Sequence, residues 1–217
     1  MAFAIAQRGL RNSNATTEVA SSGLVGGGIL YLLLEYDGSD ADPTGFTGTL
    51  AGTWTKVQRF ISAGNNIALY ASTDYGTSGT IGFTATGMTA SAICLIEVTD
   101  AGALDLSNPV KQSKTGTKAG GSGNTLTITL TDVVSNTTLI FGATDGTKTP
   151  GAGMTEIVDS GSWYAMHVAY STSTGGVQAP SLVSSGTNAN YGIAWEVGYP
   201  AGSGAAAWTR RRRSRKN

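Results

Sequence analysis

The sequence predicts an all-β fold, a jelly-roll-like sandwich of two antiparallel sheets. Apolar and polar residues alternate with a period of two, as at 125–131 (TLTITLT) and 193–197 (IAWEV), which is the pattern of half-buried strands. Glycine makes up 31 of the 217 residues, about twice the usual share. Turn pairs such as Asp-Gly, Ser-Gly and Asn-Asn separate the apolar runs. No window shows an amphipathic helical stripe.

About ten to twelve strands are expected, because many short runs with regular turn signals are typical of a sandwich or barrel. Three runs, 29–34, 93–98 and 138–143, are apolar on both faces, which favours central positions. The stretch 111–124 is rich in Gly, Ser and Lys and is predicted to be a long mobile loop. The strands are expected near 2–8, 29–36, 53–62, 66–72, 79–86, 91–99, 124–131, 137–143, 154–158, 162–171, 178–184 and 191–198. The predicted core contains Ile81, Phe83, Leu95, Leu126, Ile128, Leu139 and Trp195.

The chain is interpreted as one domain with an arm at each end. No linker divides it, and all-β domains of this length often form one unit. We expect an N-terminal strand and arm at 1–28, a β-sandwich domain at 29–200 and a basic C-terminal arm at 201–217. Neither half of the sandwich is expected to bury both faces by itself.

The formal net charge is zero, yet the charge is unevenly distributed. Six of the 14 basic residues fall within 210–216; the rest of the chain has 8 basic and 14 acidic residues, a net charge of −6. So dense a cationic run stays extended unless an anion neutralises it, and arginine pairs well with carboxylate and phosphate. The residues predicted to bind a partner are Trp208, Arg210, Arg211, Arg212, Arg213, Arg215 and Lys216.

Three anionic partners suit this tail: an acidic protein surface, nucleic acid and anionic lipid. A solvated tail that only keeps the protein soluble is the simplest alternative. We favour a protein partner, because a DNA surface would repel the acidic body, and we expect no membrane association. Trp208 is expected to anchor the arm in an apolar pocket, since such aromatic residues are frequent binding hot spots.

Cysteine content and hydropathy argue for a reducing compartment. Cys94 is the single cysteine and lies in an apolar run, so it is predicted to be a buried, inert thiol. The first residues lack the pattern of a signal peptide. The longest apolar run, 29–34, is too short to span a bilayer. The protein is therefore expected to be made and kept in a reducing cytoplasm, or to be released by lysis and not by secretion.

The sequence offers little for catalysis, and we predict neither an enzyme nor a cofactor. His167 is the only histidine and no Gly-x-Ser-x-Gly motif accompanies it, so a surface or hydrogen-bonded histidine is expected instead of a catalytic base. Glu97 and Glu196 each interrupt an apolar strand and would be the carboxylate pair of a glycosidase. We expect both to lie on an outward, solvated face.

A short acidic turn is the one candidate for metal binding. Asp37, Asp40 and Asp42 lie close together in sequence, and Ca²⁺ prefers oxygen-rich loops. The turn lacks the twelve-residue calcium loop and its closing glutamate. A solvated turn is therefore predicted, and no metal site.

The order of the strand sequences resembles a β-sandwich module of tailed-phage virion proteins. The matching segments are 53–57 (TWTKV), 66–71 (NIALYA), 79–84 (GTIGFT), 92–99 (AICLIEVT), 138–143 (TLIFGA) and 194–197 (AWEV). The resemblance covers roughly 29–198. Such modules occur in head decoration, minor capsid and tail-associated proteins, so the resemblance implies a structural role in a bacteriophage virion.

The function predicted from the sequence is that of a head decoration or minor capsid protein. It would stabilise the particle through contacts with the major capsid protein or other virion subunits, and it is expected to be a homo-oligomer. The alternative is a tail or fibre protein that binds host-surface glycans. Exposed aromatic residues would form the sugar site, and Trp54, Tyr75, Trp163 and Tyr164 are the candidates.

Overall fold

The computed structural model describes residues 3–13, 18–38, 41–43, 45–62, 65–100, 103–121, 123–134, 137–144, 148–160, 165–172, 176–185 and 189–200. Every regular element in these residues is a β-strand, and all strand pairs are antiparallel. The predicted all-β class is confirmed. No described segment is a helix of the length and apolarity needed to cross a membrane.

Eighteen strands form in these ranges. In the first half of the chain they are β1 (Ala4–Ser13), β2 (Val19–Ala20), β3 (Ile29–Asp37), β4 (Gly45–Thr47), β5 (Thr55–Ser62), β6 (Asn65–Ser72), β7 (Thr80–Thr84) and β8 (Ala90–Thr99). In the second half they are β9 (Val110–Lys118), β10 (Thr125–Thr127), β11 (Leu130–Val133), β12 (Thr138–Thr144), β13 (Lys148–Pro150), β14 (Thr155–Asp159), β15 (Ala165–Ser171), β16 (Gly176–Gln178), β17 (Ser181–Ser184) and β18 (Asn190–Val197).

Two five-stranded sheets pack face to face and enclose the main core. The first sheet has the order β1-β8-β3-β6-β5, and the second has the order β14-β15-β12-β18-β9. Alternate residues of β3, β6 and β8 face alternate residues of β12, β15 and β18 in one buried apolar cluster. The rings of Tyr31 and Trp195 meet edge to face at 5.3 Å in this layer, and the Tyr31 hydroxyl donates to the Pro109 carbonyl at 2.8 Å.

The outer face of each large sheet is covered by smaller sheets. The sheet β2-β7-β4 lies over the first, where Val19, Ile81 and Phe83 pack on outward-facing leucines of β3. The sheet β10-β17-β13 and the pair β11-β16 lie over the second. Because both faces of the central strands are buried, those strands are continuously apolar, as the runs in the sequence predicted.

The two halves of the chain repeat one topology. The first large sheet, β1-β8-β3-β6-β5, corresponds strand for strand to β9-β18-β12-β15-β14, and the small sheet β2-β7-β4 corresponds to β10-β17-β13. Both halves also place a bulge at the same point of the corresponding edge pairs, after Lys56 in β5 and after Glu156 in β14. Each half covers only the outer face of its own large sheet, and the inner face is buried against the large sheet of the other half.

The structure confirms the predicted core and corrects two assignments. All seven predicted core residues are buried. The stretch 111–124 is largely the edge strand β9, which pairs with β18 along its length, because its Thr and Ser residues suit a half-buried edge. Within the N-terminal strand and arm predicted at 1–28, β1 extends to Ser13, and Val19 and Leu24 pack on the first sheet. Each large sheet is built from one half of the chain, a feature that the jelly-roll expectation did not include.

Candidate binding surface

Both ends of the described chain lie at one end of the sandwich, which we call the terminal end. β1 begins here, where Ala4 pairs with Thr99 at the close of β8. β18 ends here at Val197, whose amide donates to the Thr137 carbonyl at 3.0 Å. The strands β3 and β12 both begin at this end, since Tyr31 contacts Trp195 and Trp195 pairs with Leu139. The segment 201–217 therefore follows a chain that leaves the fold at the terminal end.

The terminal end also carries most of the exposed large apolar side chains in the described residues. Val25, Leu106, Val134 and Val177 are 44%, 40%, 59% and 66% exposed and lie in its loops and short strands. The remaining one, Ile61, is 47% exposed and lies at the opposite end, where β5 turns into β6. Single exposed apolar residues are normal, but their concentration at one end marks a candidate contact surface.

A buried carboxylate fixes the first of these loops. Glu97 lies on the outer face of the first sheet, where Arg8 Nε donates to its Oε2 at 2.7 Å. The amides of Val25 and Gly26 donate to its Oε1 at 2.9 and 3.1 Å, and the Tyr75 hydroxyl does so at 2.8 Å. Burial, together with the neighbouring carboxylate, raises the pKa of Tyr75, so its hydroxyl remains a donor. These bonds hold the loop that exposes Val25.

The second half also has a buried glutamate that fixes a loop, with a different set of hydrogen-bond donors. Glu196 occupies in β18 the position that Glu97 has in β8, because Glu97 pairs with Leu30 of β3 and Glu196 pairs with Thr138 of β12. Its carboxylate accepts from the Val134 amide at 2.7 Å and from Gln112 Nε2 at 2.8 Å. In both halves the donors come from the edge strand, β1 or β9, and from the loop before the central strand, β3 or β12.

Two exposed valines of the second half, Val134 and Val177, follow and lie in the paired strands β11 and β16. Gly26 and Val134 both donate an amide to the equivalent glutamate, and a side chain added at Gly26 would meet Thr77 at 3.7 Å. Val177 lies in β16, which pairs with β11. We call Val134 and Val177 the valine patch.

The valine patch has an acidic neighbour. Val133 pairs with Gly176 and Leu130 pairs with Gln178, so the bulged residues Thr131 and Asp132 lie opposite Val177. Val133 is buried, and Val134 consequently points outward. Asp132 is exposed and has a φ of 55°, a left-handed conformation that aspartate tolerates better than most residues.

Sequence reasoning did not identify the patch, although one signal was present. The segment 132–134 reads Asp-Val-Val, and two consecutive apolar residues of a strand cannot both face the core. The valine after the buried one is therefore exposed unless a second layer covers it. Here β11 already belongs to the outer layer over the second large sheet. No further layer in the described residues covers Val134.

The predicted partner-binding residues lie outside the described residues. These are Trp208, Arg210, Arg211, Arg212, Arg213, Arg215 and Lys216. The chain approaches them between two surfaces: the Gly198 carbonyl accepts from Asp105 at 2.9 Å on the side of Leu106, and Val197 bonds to Thr137 on the side of the valine patch. The hydroxyl of Tyr199, buried beneath the exit, donates to Asp100 Oδ2 at 3.4 Å.

The candidates for chemistry lie in the interior. His167 is 1% exposed, beneath the small sheet over β15. Glu97 and Glu196 are each 1% exposed, so the prediction of solvated glutamates was wrong. They do lie on outer faces, but an extra layer covers each face. Cys94 is buried in the main core, as predicted, and burial raises the pKa of its thiol.

In the acidic turn, Asp42 forms salt bridges with the side chains of Lys56 and Arg59. Asp42 Oδ2 accepts from Lys56 Nζ at 2.7 Å, and Oδ1 accepts from Arg59 at 3.1 Å. The Lys56 ammonium, with Arg59 beside it, lowers the pKa of Asp42. Asp40 lies outside the described residues. Among the described residues, no group of three or more His, Cys, Asp and Glu side chains is placed to hold a metal.

Two of the four aromatic residues considered for glycan binding are described. Tyr75 is buried and committed to Glu97. Trp54 is half-buried against the ring of Phe46, at 6.1 Å between centroids. Trp163 and Tyr164 lie outside the described residues. The described pair thus offers no open aromatic face of the kind that sugar binding needs.

No protein-family model, curated protein or solved structure matches this chain.

Proposed function

We propose that the protein is a structural component of a tailed-phage virion, a head decoration or minor capsid protein that attaches to neighbouring subunits through its terminal end. The observation that carries this proposal is the convergence of both chain ends and four exposed apolar side chains at that end. The segments on which the resemblance to virion proteins rests form β6, β7, β8, β12 and β18 and the start of β5, which are the strands of the rigid body.

Binding fits this molecule better than catalysis does. His167, Cys94 and both strand glutamates are at most 1% exposed. A reactive group must reach its substrate within about 3 Å, and these side chains are covered by packed layers. The sandwich instead offers a rigid frame with covered faces, which is the property that a particle needs from a reinforcing subunit.

Charge supplies the second support. The segment after Pro200 holds six cationic residues, whereas the rest of the chain has a net charge of −6. Arginine pairs with carboxylates in a bidentate geometry, so an acidic protein surface on the particle is the partner that suits this segment. An acidic body facing nucleic acid would be repelled, which favours a contact with capsid protein over one with the packaged genome.

The test is attachment of a truncated protein to purified particles that lack it. Deleting 209–217 removes the cations, keeps Trp208 and leaves every described strand intact. We expect weaker occupancy than that of the full chain at low salt, and similar weakening of the full chain at high salt. The screening length falls from about 10 Å at 0.1 M to about 3 Å at 1 M ionic strength.

Two controls sharpen this test. Replacing Arg210–Arg213 with glutamine keeps the length and removes four charges, so it should reproduce the truncation. Replacing Lys114 and Lys118, both exposed on the edge strand β9, should leave occupancy unchanged. Empty particles should bind as well as full ones. Binding that requires DNA, or truncated protein that occupies particles at the full-length level in low and high salt, contradicts the proposal.

A further inference from the structure

We propose that Lys148 and Asn190 react with each other in the folded protein and form an intramolecular amide bond. The bond joins the covering sheet β10-β17-β13 to the second large sheet, since Lys148 lies in β13 and Asn190 in β18. The inference concerns the interior of the second half of the chain, and it holds whether or not the protein is a virion component.

The first step is the burial of an amide that has no partner. Asn190 is 0% exposed, and neither its Oδ1 nor its Nδ2 has a hydrogen-bond partner among the described residues. The next residues of β18, Tyr191 and Ile193, alternate into the main core, so Asn190 lies on the outer face, beneath the covering sheet. Native proteins pair the great majority of their buried polar groups, and this carboxamide therefore requires an explanation.

The second step is a buried lysine over the same face. Lys148 is 1% exposed, although lysine is among the residues least often buried. Its Cε and Cδ lie 3.5 and 3.6 Å from the position that a Cβ on Gly142 would occupy. Gly142 pairs with Gly192, and Asn190 is the diagonal neighbour of Gly142, about 7–8 Å away between Cα atoms. The amine is one bond, about 1.5 Å, beyond Cε, so the amine and the carboxamide lie over neighbouring positions of one buried face.

The third step is the exclusion of water from this face. Leu182 of the covering sheet lies 2.5 Å from the Cβ position of Gly142, and Leu126 lies 2.9 Å from that of Gly192. Both leucines are 1% exposed. Apolar surroundings favour the neutral form of an amine, which is the nucleophilic form, and a water-excluded site prevents competing hydrolysis.

The reaction balances without any other reactant. The neutral Nζ of Lys148 attacks Cγ of Asn190, the Nζ–Cγ bond forms and the Cγ–Nδ2 bond breaks. One proton passes from Nζ to the leaving Nδ2, and one ammonia is released. His167 is 1% exposed and pairs with Gly142 on the side away from β18, so its imidazole is a described acid–base group beside the lysine that can carry this proton.

The first half of the chain shows that the strand order does not require these side chains. The positions that correspond to Gly142, His167 and Asn190 follow from the equivalent pairs of β3, β6 and β8, and they hold Leu34, Ala68 and Ser91. None of these three residues can form such an amide bond. The polar set around Gly142 is thus a property of the second half and not of the shared topology.

Intact mass spectrometry of the purified full chain in denaturant tests the bond. We expect the chain to be lighter than its sequence mass by one ammonia. Chymotrypsin cleaves after aromatic residues that lie between the two positions, and the segments that contain Lys148 and Asn190 should remain joined in one branched peptide. Lys148→Met and Asn190→Ala should each restore the full mass and abolish the branched peptide.

The matched control is Lys114→Met, because Lys114 is exposed on the edge strand β9. This variant should keep both the mass deficit and the branched peptide. Circular dichroism verifies that each variant is folded, and the measurement on the unaltered chain depends on no variant.

Three results would overturn the cross-link. An unaltered chain at its full sequence mass would show that the two side chains are not joined. A mass deficit that persists in Lys148→Met or Asn190→Ala would assign the loss of ammonia to another site. A branched peptide that joins other segments would do the same. None of these results bears on occupancy of particles by the truncated protein, so failure here is distinguishable from failure of the proposed function.

Discussion

Replacing Glu97 with glutamine should destabilise the protein, because it removes the charge from one member of a buried ion pair. Glu97 is 1% exposed and its carboxylate pairs with the Arg8 guanidinium at 2.7 Å. The change removes the charge that pairs with this cation and puts an NH2 donor where one carboxylate oxygen accepts, facing either Arg8 or the amides of Val25 and Gly26. At the equivalent position of the second half, Glu196 accepts from Gln112 Nε2 and from the Val134 amide.

The magnitudes follow from these partners. Removing one member of a buried ion pair costs about 3–5 kcal/mol. The Arg8 side chain is 19% exposed and recovers part of its hydration, so we expect about 4 kcal/mol for Glu97→Gln, including the mismatched amide. Losing a hydrogen bond to a charged group costs about 1.5–3 kcal/mol, so Glu196→Gln should cost about 2 kcal/mol.

Urea denaturation followed by circular dichroism measures both values, and hydrogen exchange at Val25 and Gly26 reports the release of the loop. Adding Arg8→Gln to Glu97→Gln should recover part of the loss, with a coupling energy of about 0.5–3 kcal/mol. A cost below about 1 kcal/mol for Glu97→Gln, or no coupling with Arg8→Gln, would refute the assignment of this stability to the ion pair. Unchanged exchange at the loop amides in Glu97→Gln would refute its role in holding the loop.

Three further predictions concern the core, the layer spacing and a surface pair. Phe83→Ala should cost about 3–5 kcal/mol in urea denaturation, because the ring is 4% exposed among rigid neighbours; a cost below about 1 kcal/mol would mean that the covering sheet is loosely packed. Gly142→Ala should cost about 1–3 kcal/mol, because its Cβ would meet Leu182 at 2.5 Å, and a neutral result would show that the small sheet shifts freely. Hydrogen bonds from Lys111 and Ser107 hold the pKa of Asp105 at about 2, below the unfolded value of about 3.9, so its contribution to stability is present above pH ~4 and lost as the pH falls toward 2. Carboxyl NMR titration should give this low pKa, and Asp105→Asn should abolish that part of the acid dependence; an ordinary pKa in the native chain would exclude the pairing.

The repeated topology explains why equivalent positions carry different side chains. Gly142 stands opposite Gly192 in the second half, where the first half has Leu34 opposite Ile93. The glycines let Leu126 and Leu182 of the covering sheet descend onto the large sheet. In the first half, leucine and isoleucine hold the covering sheet away, and the ring of Phe83 meets that of Tyr36 at 5.5 Å between centroids. The same strand order thus tolerates two packings.

The fold class and the core could be read from the sequence because they depend on local periodicity. Alternation in 125–131 and the apolar runs 29–34 and 138–143 predicted strands at positions that are strands. Burial of Phe83 and Trp195 followed from their places in those patterns. The internal repeat did not show in the sequence, since the offset between equivalent residues is 99 from Glu97 to Glu196 and 108 from Gly26 to Val134. Loops of different length shift the register, and few side chains are retained.

Only the tertiary structure determines which outer faces of the sheets are buried from solvent and which apolar residues remain exposed. A strand pattern fixes the side of the sheet on which Glu97 or His167 lies, but it carries no information about a further layer over that side. The small sheets over each large sheet turned both residues into interior groups. Val134 and Val177 are not covered by these layers and remain exposed at the terminal end. Exposure is set by the packing of distant segments, and no local period encodes it.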